Sequence, residues 1–161
     1  MKIDKKELLQ KIITQLESEL VLIAEAAKNT YDIATHEENK PENEYDTRGL
    51  EASYLAGAQA ERVSEMKSTI VLLKALKIKD FSDSDAIAFS AVVETESEGK
   101  TQWMFVLPSG GGIKIKFSEH LIQTVTPHSP LGEALIGLHV GDVAAIDAGK
   151  KQKEYEIVSI F

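Results

Sequence analysis

The chain has 161 residues, 43% of them apolar, with a formal net charge of −8 and no cysteine. That length and apolar content support one average domain or two small ones with a real core. The missing cysteines exclude a disulfide framework, a cysteine-ligated zinc finger and a thiol nucleophile, and the acidity argues against duplex nucleic acid, whose phosphates require a basic surface.

Residues 1–77 carry 11 basic and 14 acidic side chains and the remainder carries 7 and 12, so neither half is basic. No apolar run reaches the roughly 18 residues of a membrane span. Charges interrupt the N-terminal MKIDKKELLQKII before a signal-peptide core forms, so a cytoplasmic protein is expected. His36, His120, His128 and His139 stand apart in the chain and read as surface or satisfied residues, not as metal ligands.

Leu9, Ile13, Leu16, Leu20, Ile23 and Ala27 step by four and three, the seam of a long helix that packs on a partner helix. Asp4 fits its N-cap, with Glu7 placed for a capping box. The same register returns at Ala52, Ala56, Val63, Met66, Ile70 and Leu73, with Gln59 as its one polar step. Between the two helices the apolar period stops and Pro41 breaks any helix, so the chain turns. Two matched seams joined by a short turn predict an antiparallel hairpin with arms of about 30 residues, or about 45 Å. Its far end, residues 37–46, holds Glu37, Glu38, Glu42, Glu44 and Asp46 against a single Lys40. An exposed loop is often acidic only because it is solvated. Here like charges are crowded far from any core that would benefit, which points to something that receives the tip.

After Lys79 the period becomes two-fold. Strands are predicted over 86–94, 102–107, 112–117, 121–126, 143–148 and 154–161, with 80–85 as the linker. A short helix is expected from Ser129 to Ile136, with Pro130 in its first turn, Glu133 suited to its N-terminal dipole and Gly137 ending it. The domain boundary is placed between 1–79 and 80–161. Ser109–Gly112 lacks the following lysine and helix of a phosphate cradle and reads as a hairpin turn. Neither a nucleophile elbow nor a triad spacing is present, and carboxylates on an exposed loop lack the desolvation that glycoside hydrolysis needs.

The run TPHSPLGEALIGLHVG at 126–141, followed by Asp142 and the terminal YEIVSI, resembles the C-terminal signature of the GreA/GreB transcription factors. LPSGGGIKIKF fits that family's hairpin in the β-rich half, and ENEY at 42–45 resembles the tip motif of its coiled coil. The resemblance implies an α+β fold: an N-terminal antiparallel helical hairpin, then an FKBP-like antiparallel β-sheet domain with a short helix. It implies docking on bacterial RNA polymerase, with the hairpin in the secondary channel. Tip carboxylates would there complete a Mg²⁺ site shared with the polymerase, for cleavage of a backtracked RNA 3′ end. The implied ligands are Glu38 and Glu42, helped by Glu44, and the implied docking residues are Ser129, Pro130, Leu131 and Gly132. No stably bound cofactor is expected, and the resemblance implies an accessory factor that completes the polymerase active site, not an enzyme in its own right.

The tip departs from the family. Where the family has an Asp and a Glu three residues apart, this chain has Glu38 and Pro41, or with one residue deleted Asn39 and Glu42. Either alignment keeps one carboxylate, and Pro41 could instead open the second helix. A channel-binding regulator without cleavage activity is therefore a second reading. A peptidyl-prolyl isomerase is a remote third, because Trp103, Tyr155 and the phenylalanines fall mostly at strand positions that fill a core. A coiled-coil dimeriser is disfavoured because both seams are satisfied within one chain, so a monomer is expected.

Overall fold

The computed structural model describes residues 3–36, 40, 47–149 and 151–161. The elements run α1 (Lys5–Thr35), α2 (Arg48–Ala75), β1 (Val92–Ser97), β2 (Lys100–Val106), β3 (Lys114–Phe117), β4 (His120–Val125), α3 (Pro130–Leu135), β5 (Val143–Ala148) and β6 (Lys151–Ile160). Two compact units result: Met1–Ile12 with Leu72–Phe161, and Ile13–Val71. The fold class is α+β, a helical hairpin followed by a sheet domain with a short helix.

The hairpin follows its seam. Along α1 the side chains withdrawn from water include Leu9, Ile13, Leu16, Leu20, Ile23 and Ala27, and along α2 Ala52, Ala56, Gln59, Val63, Met66, Ile70 and Leu73, while most positions between them are exposed. Asp4 caps α1, its Oδ1 accepting from the backbone of Lys6 at 3.1 Å and Glu7 at 3.0 Å. The Glu7 carboxylate turns along the helix and meets Lys11 at 3.1 Å. α2 runs from Arg48, and the alternative that Pro41 opens a helix lies outside the described residues. Gly57 lies exposed inside α2, and a Cβ there would meet nothing within 4 Å. Gly57→Ala is therefore expected to stabilise the hairpin by about 1 kcal/mol through helix propensity, read as a higher midpoint in thermal melts followed by helical circular dichroism.

The sheet order is β3-β4-β2-β1-β6-β5. The pairs β1–β2, β1–β6, β3–β4 and β5–β6 are antiparallel, but β2 and β4 run parallel, which corrects the expectation of a wholly antiparallel sheet. The reason lies in the chain path. The glycine-rich segment after β2 is not a hairpin turn, because it carries the chain past β4's place to the edge strand β3. A tight turn through Ser118 (φ 55) then reverses the chain a second time, so β4 returns alongside β2 in the same direction.

The first strand also begins later than its sequence pattern suggests. Residues 86–91 hold their apolar side chains Ile87 and Ala91 in the core from a loop: Ile87 N donates to Leu138 O at 2.8 Å, and buried Ser90 has φ 72. β1 and β2 are joined through Glu98 (φ 51) and Gly99 (φ 71), two left-handed residues whose twist matches that of the strands they connect.

Val93, Met104, Val106, Val125, Tyr155 and Ile157 cluster with Leu135 of α3 on one side of the sheet. By strand alternation Val92, Phe105 and Ile122 leave the other side, and they too are fully buried. The same unit contains the first turns of α1 and the end of α2, where Leu8, Ile12 and Leu73 are also fully buried. Lys11 Nζ lies 4.8 Å above the Phe117 ring.

Lys5 joins these parts. Its side chain is buried, Nζ donates to the Lys79 carbonyl and lies 4.7 Å from the Phe81 ring centroid, and Lys79 N donates to Ser90 Oγ at 2.9 Å. Burial holds the Lys5 ammonium below its ordinary pKa of 10.5, and the Asp80 charge offsets part of that shift. Between the lowered value and 10.5 the unfolded chain binds more protons at this site than the folded one, so this site's contribution to stability rises with pH across that window. Denaturant midpoints of the wild type and Lys5→Met, compared from neutral pH upward, should show this slope in the wild type and its loss in the variant.

Candidate functional site

The loop leading into α3 is built around the Thr126 carbonyl. Ser129 donates to it twice, from its backbone N at 3.0 Å and its Oγ at 2.8 Å. The same hydroxyl accepts from Gly132 N at 3.1 Å and so caps α3, while Glu133 N donates to Ser129 O at 2.9 Å. A Cβ on Gly132 would lie 2.0 Å from the Thr126 oxygen, so the loop closes only over glycine. Thr126 in turn faces Gly111, where a Cβ would meet the Thr126 side chain at 3.1 Å. Thr124 Oγ1 completes the assembly, donating to Gly110 O at 2.5 Å and accepting from Ile113 N at 2.9 Å. The sequence marked 109–112 and 126–141 as separate motifs, and the fold brings the two loops together at Gly111 and Thr126.

Of the four docking residues expected from sequence, Pro130 is exposed, Ser129 is half-buried, Leu131 packs against the core cluster and Gly132 is buried. The surface they offer is therefore Pro130 and the rim of Ser129, with Ile136 exposed at the other end of the helix. Gly132 shapes that surface without a side chain of its own. Nearby, His139 N donates to Asp142 Oδ2 at 2.8 Å, and Asp85 Oδ2 accepts from Ser82 N at 2.8 Å and Ser82 Oγ at 2.6 Å. Those two bonds hold the Asp85 carboxyl below the usual carboxylate range. They pin the linker and the loop before β5, neither of which has a distinctive sequence motif.

Glu38, Glu42 and Glu44 lie outside the described residues, as does Pro41. Among the described residues no group of three or more His, Asp or Glu could hold a metal ion, and no helix is long and apolar enough to cross a membrane. Among the described residues Trp103, Phe105, Phe117 and Tyr155 are buried. Trp103 is 8% exposed, its ring 4.4 Å from that of His120 and 5.7 Å from that of Phe161. A cavity of about 260 Å³ lined by Gln102, Trp103, Lys114, Leu121 and Gln123 contains that single aromatic, which gives the isomerase reading no support.

Residues 82–161, which include both loops, match the family model described as "Transcription elongation factor, GreA/GreB, C-term". The transcription elongation factor GreA of Xanthomonas axonopodis pv. citri is 30% identical over 128 residues, 78% of this chain and 74% of that protein. The chain belongs to the GreA/GreB family. A second relative within that group of factors is the transcription inhibitor protein Gfh1 of Thermus aquaticus, 28% identical over 155 residues, 94% of this chain and 90% of that protein. The crystal structure of Thermus aquaticus Gfh1 aligns at 27% identity over 94% of this chain and 92% of that one, with a TM-score of 0.40. At that score the overlay carries no argument, and membership of the GreA/GreB family stands on sequence.

Proposed function

We propose that this chain regulates bacterial RNA polymerase from its secondary channel, the hairpin entering the channel and the Ser129–Pro130 surface docking on its rim. The observation that carries this reading is the hairpin itself: two helices of 31 and 28 residues with one continuous seam, joined to the family's C-terminal domain. Like charges crowded at the turn between two such helices repel one another, which supports a use at that end.

At that end the chemistry of the donor set fits a hard divalent cation. Glu38, Glu42 and Glu44 offer carboxylate oxygens and no softer ligand, which suits Mg²⁺ held jointly with the polymerase. Glu38 and Glu42 are the ligands in this reading and Glu44 assists. When bound, such an ion would activate water and stabilise the leaving oxygen in cleavage of backtracked RNA. The chain's own part is to bring those oxygens to the RNA 3′ end, and the polymerase supplies the remainder of the site.

A second reading is favoured by a specific observation. The similarity to Gfh1, named as an inhibitor, spans 94% of this chain, and the family's carboxylate pair is reduced to one at the aligned positions. In that reading the tip occupies the channel and promotes no cleavage. An RNA-cleavage assay on a stalled, backtracked elongation complex with Mg²⁺ separates the two. Shortened transcripts with the wild type, lost by at least tenfold in Glu38→Ala with Glu42→Ala, support the cleavage factor. Inhibition of synthesis without shortening, with polymerase binding confirmed, supports the channel regulator.

A further inference from the structure

Within the unit Ile13–Val71 the hairpin changes character along its length. Toward the base large apolar side chains fill the seam: Ile13, Leu16 and Ile70 are at most 6% exposed, while Val71, off the seam, is 66% exposed. Toward the tip the seam is lined by Ala27, Ala52 and Ala56, and the large apolar side chains are outside. Tyr31, Leu50, Tyr54 and Leu55 are 60%, 56%, 73% and 53% exposed. Val21, Leu22 and Ile33 of α1 are exposed as well. Small residues line the seam in this half, and its outside is coated with groups that gain nothing from water.

These side chains do not share one face. At about 100° per residue, Leu50 and Tyr54 point away from the line through Ala52, Ala56 and Gln59, whereas Leu55 lies on its flank. Tyr31 lies on the flank of the other helix's seam, a few residues from its end. An amphipathic helix that docks on a flat partner carries one stripe. Apolar groups spread around a two-helix hairpin suit a partner that encloses it.

Charge selects the kind of partner. Residues 24–61 contain nine carboxylates and three cationic side chains. Phosphate backbones and anionic membrane surfaces are repelled by that balance, and so is a second copy of the same hairpin. A protein cavity with apolar walls and cationic side chains is complementary to it. Exposed tyrosines beside leucines are the residue types that supply binding energy when such a wall covers them.

We propose that Tyr31, Leu50, Tyr54 and Leu55 form an apolar collar by which an enclosing, cationic protein wall grips the tip half of the hairpin. The proposal rests on the channel-inserted reading given above and assigns the grip to residues distinct from the acidic tip.

The test compares the full-length chain with Leu50→Ala, Tyr54→Ala for binding to bacterial RNA polymerase, together with hydroxyl-radical footprinting of Tyr31 and Tyr54. Alanine preserves helix propensity and neither residue lies in the seam, so unchanged helicity and melting midpoint certify the fold of the variant. The expected result is at least about tenfold weaker binding by the variant and protection of both tyrosines in the wild-type complex. If the wild type does not bind polymerase at all, the channel reading fails and the collar with it. If the wild type binds, the variant binds equally well and Tyr54 stays oxidisable in the complex, the collar alone is overturned. Wild-type self-association in sedimentation that the variant loses would also overturn it, by making this surface a contact between copies.

Discussion

Gly132→Ala is expected to lower the stability of the sheet domain by about 3 kcal/mol, on the order of 15 °C in its melting midpoint for a unit of this size. The Cβ would stand 2.0 Å from the Thr126 carbonyl oxygen and 2.6 Å from its carbon, both backbone atoms that cannot swing aside. Moving the carbonyl breaks its two bonds from Ser129, and with them the positioning of the hydroxyl that caps α3. Leu135, fully buried in the core cluster, would shift with the helix. Calorimetry on the full chain measures the effect. A drop of less than about 1 kcal/mol would mean that the loop relaxes freely and that its glycine serves something other than closure. Gly57→Ala is the internal control, because the same change in open space should act in the opposite direction.

The second large effect is a gain. Among the described residues, Gln59 Oε1 is a buried side-chain oxygen with no hydrogen-bond partner. It lies on α2 in the seam register of Ala56 and Val63, where the other positions are apolar. A buried acceptor left unsatisfied costs about 1–3 kcal/mol, so Gln59→Leu should stabilise the hairpin by roughly 2 kcal/mol. Chemical denaturation followed by helical circular dichroism reads it directly. A polar residue at one seam position also discriminates against slipped registers and foreign helices, which cannot satisfy it any better. The leucine variant should therefore show more self-association in sedimentation at high concentration. A variant that is less stable than the wild type would show that Gln59 has a partner in solution.

The helices were legible because their signal is local and repetitive. The four-three step of apolar residues, the Asp4 cap and the loss of that step between Thr35 and Arg48 define two long helices without reference to anything distant. The same holds for α3, where Ser129, Pro130 and Gly137 state a start and a stop within nine residues. The strands were legible as alternation but not as partners. Nothing in Gln102–Leu107 or Gly112–Phe117 says that a third strand will lie between them, so the expected hairpin became a crossover and one ladder became parallel. Residues 86–91 show why alternation can mislead: Ile87 and Ala91 are buried as the pattern requires, but by a loop pinned at Ser90.

The candidate site divides along the same line. The acidic crowding at 37–46 and the SPLG run at 129–132 are properties of composition and order, and they are visible in the chain as written. Lys5 is different. A lysine near an N-terminus reads as solvated, and only its approach to Lys79 and Phe81, more than seventy positions away, makes it a buried cation. So is the collar, because the spacing of Leu50, Tyr54 and Leu55 names them as apolar but not as outside.

By itself the amino-acid order determined two helices, their seam, a strand-rich second half and the family, since each rests on neighbours within a few residues or on a contiguous motif. The tertiary structure alone decided strand order, the parallel pair, the closing of Gly132 on Thr126, the burial of Lys5 and the unsatisfied Gln59. Each of those is a contact between distant segments or a question of what solvent can reach, and local periodicity contains no information about either.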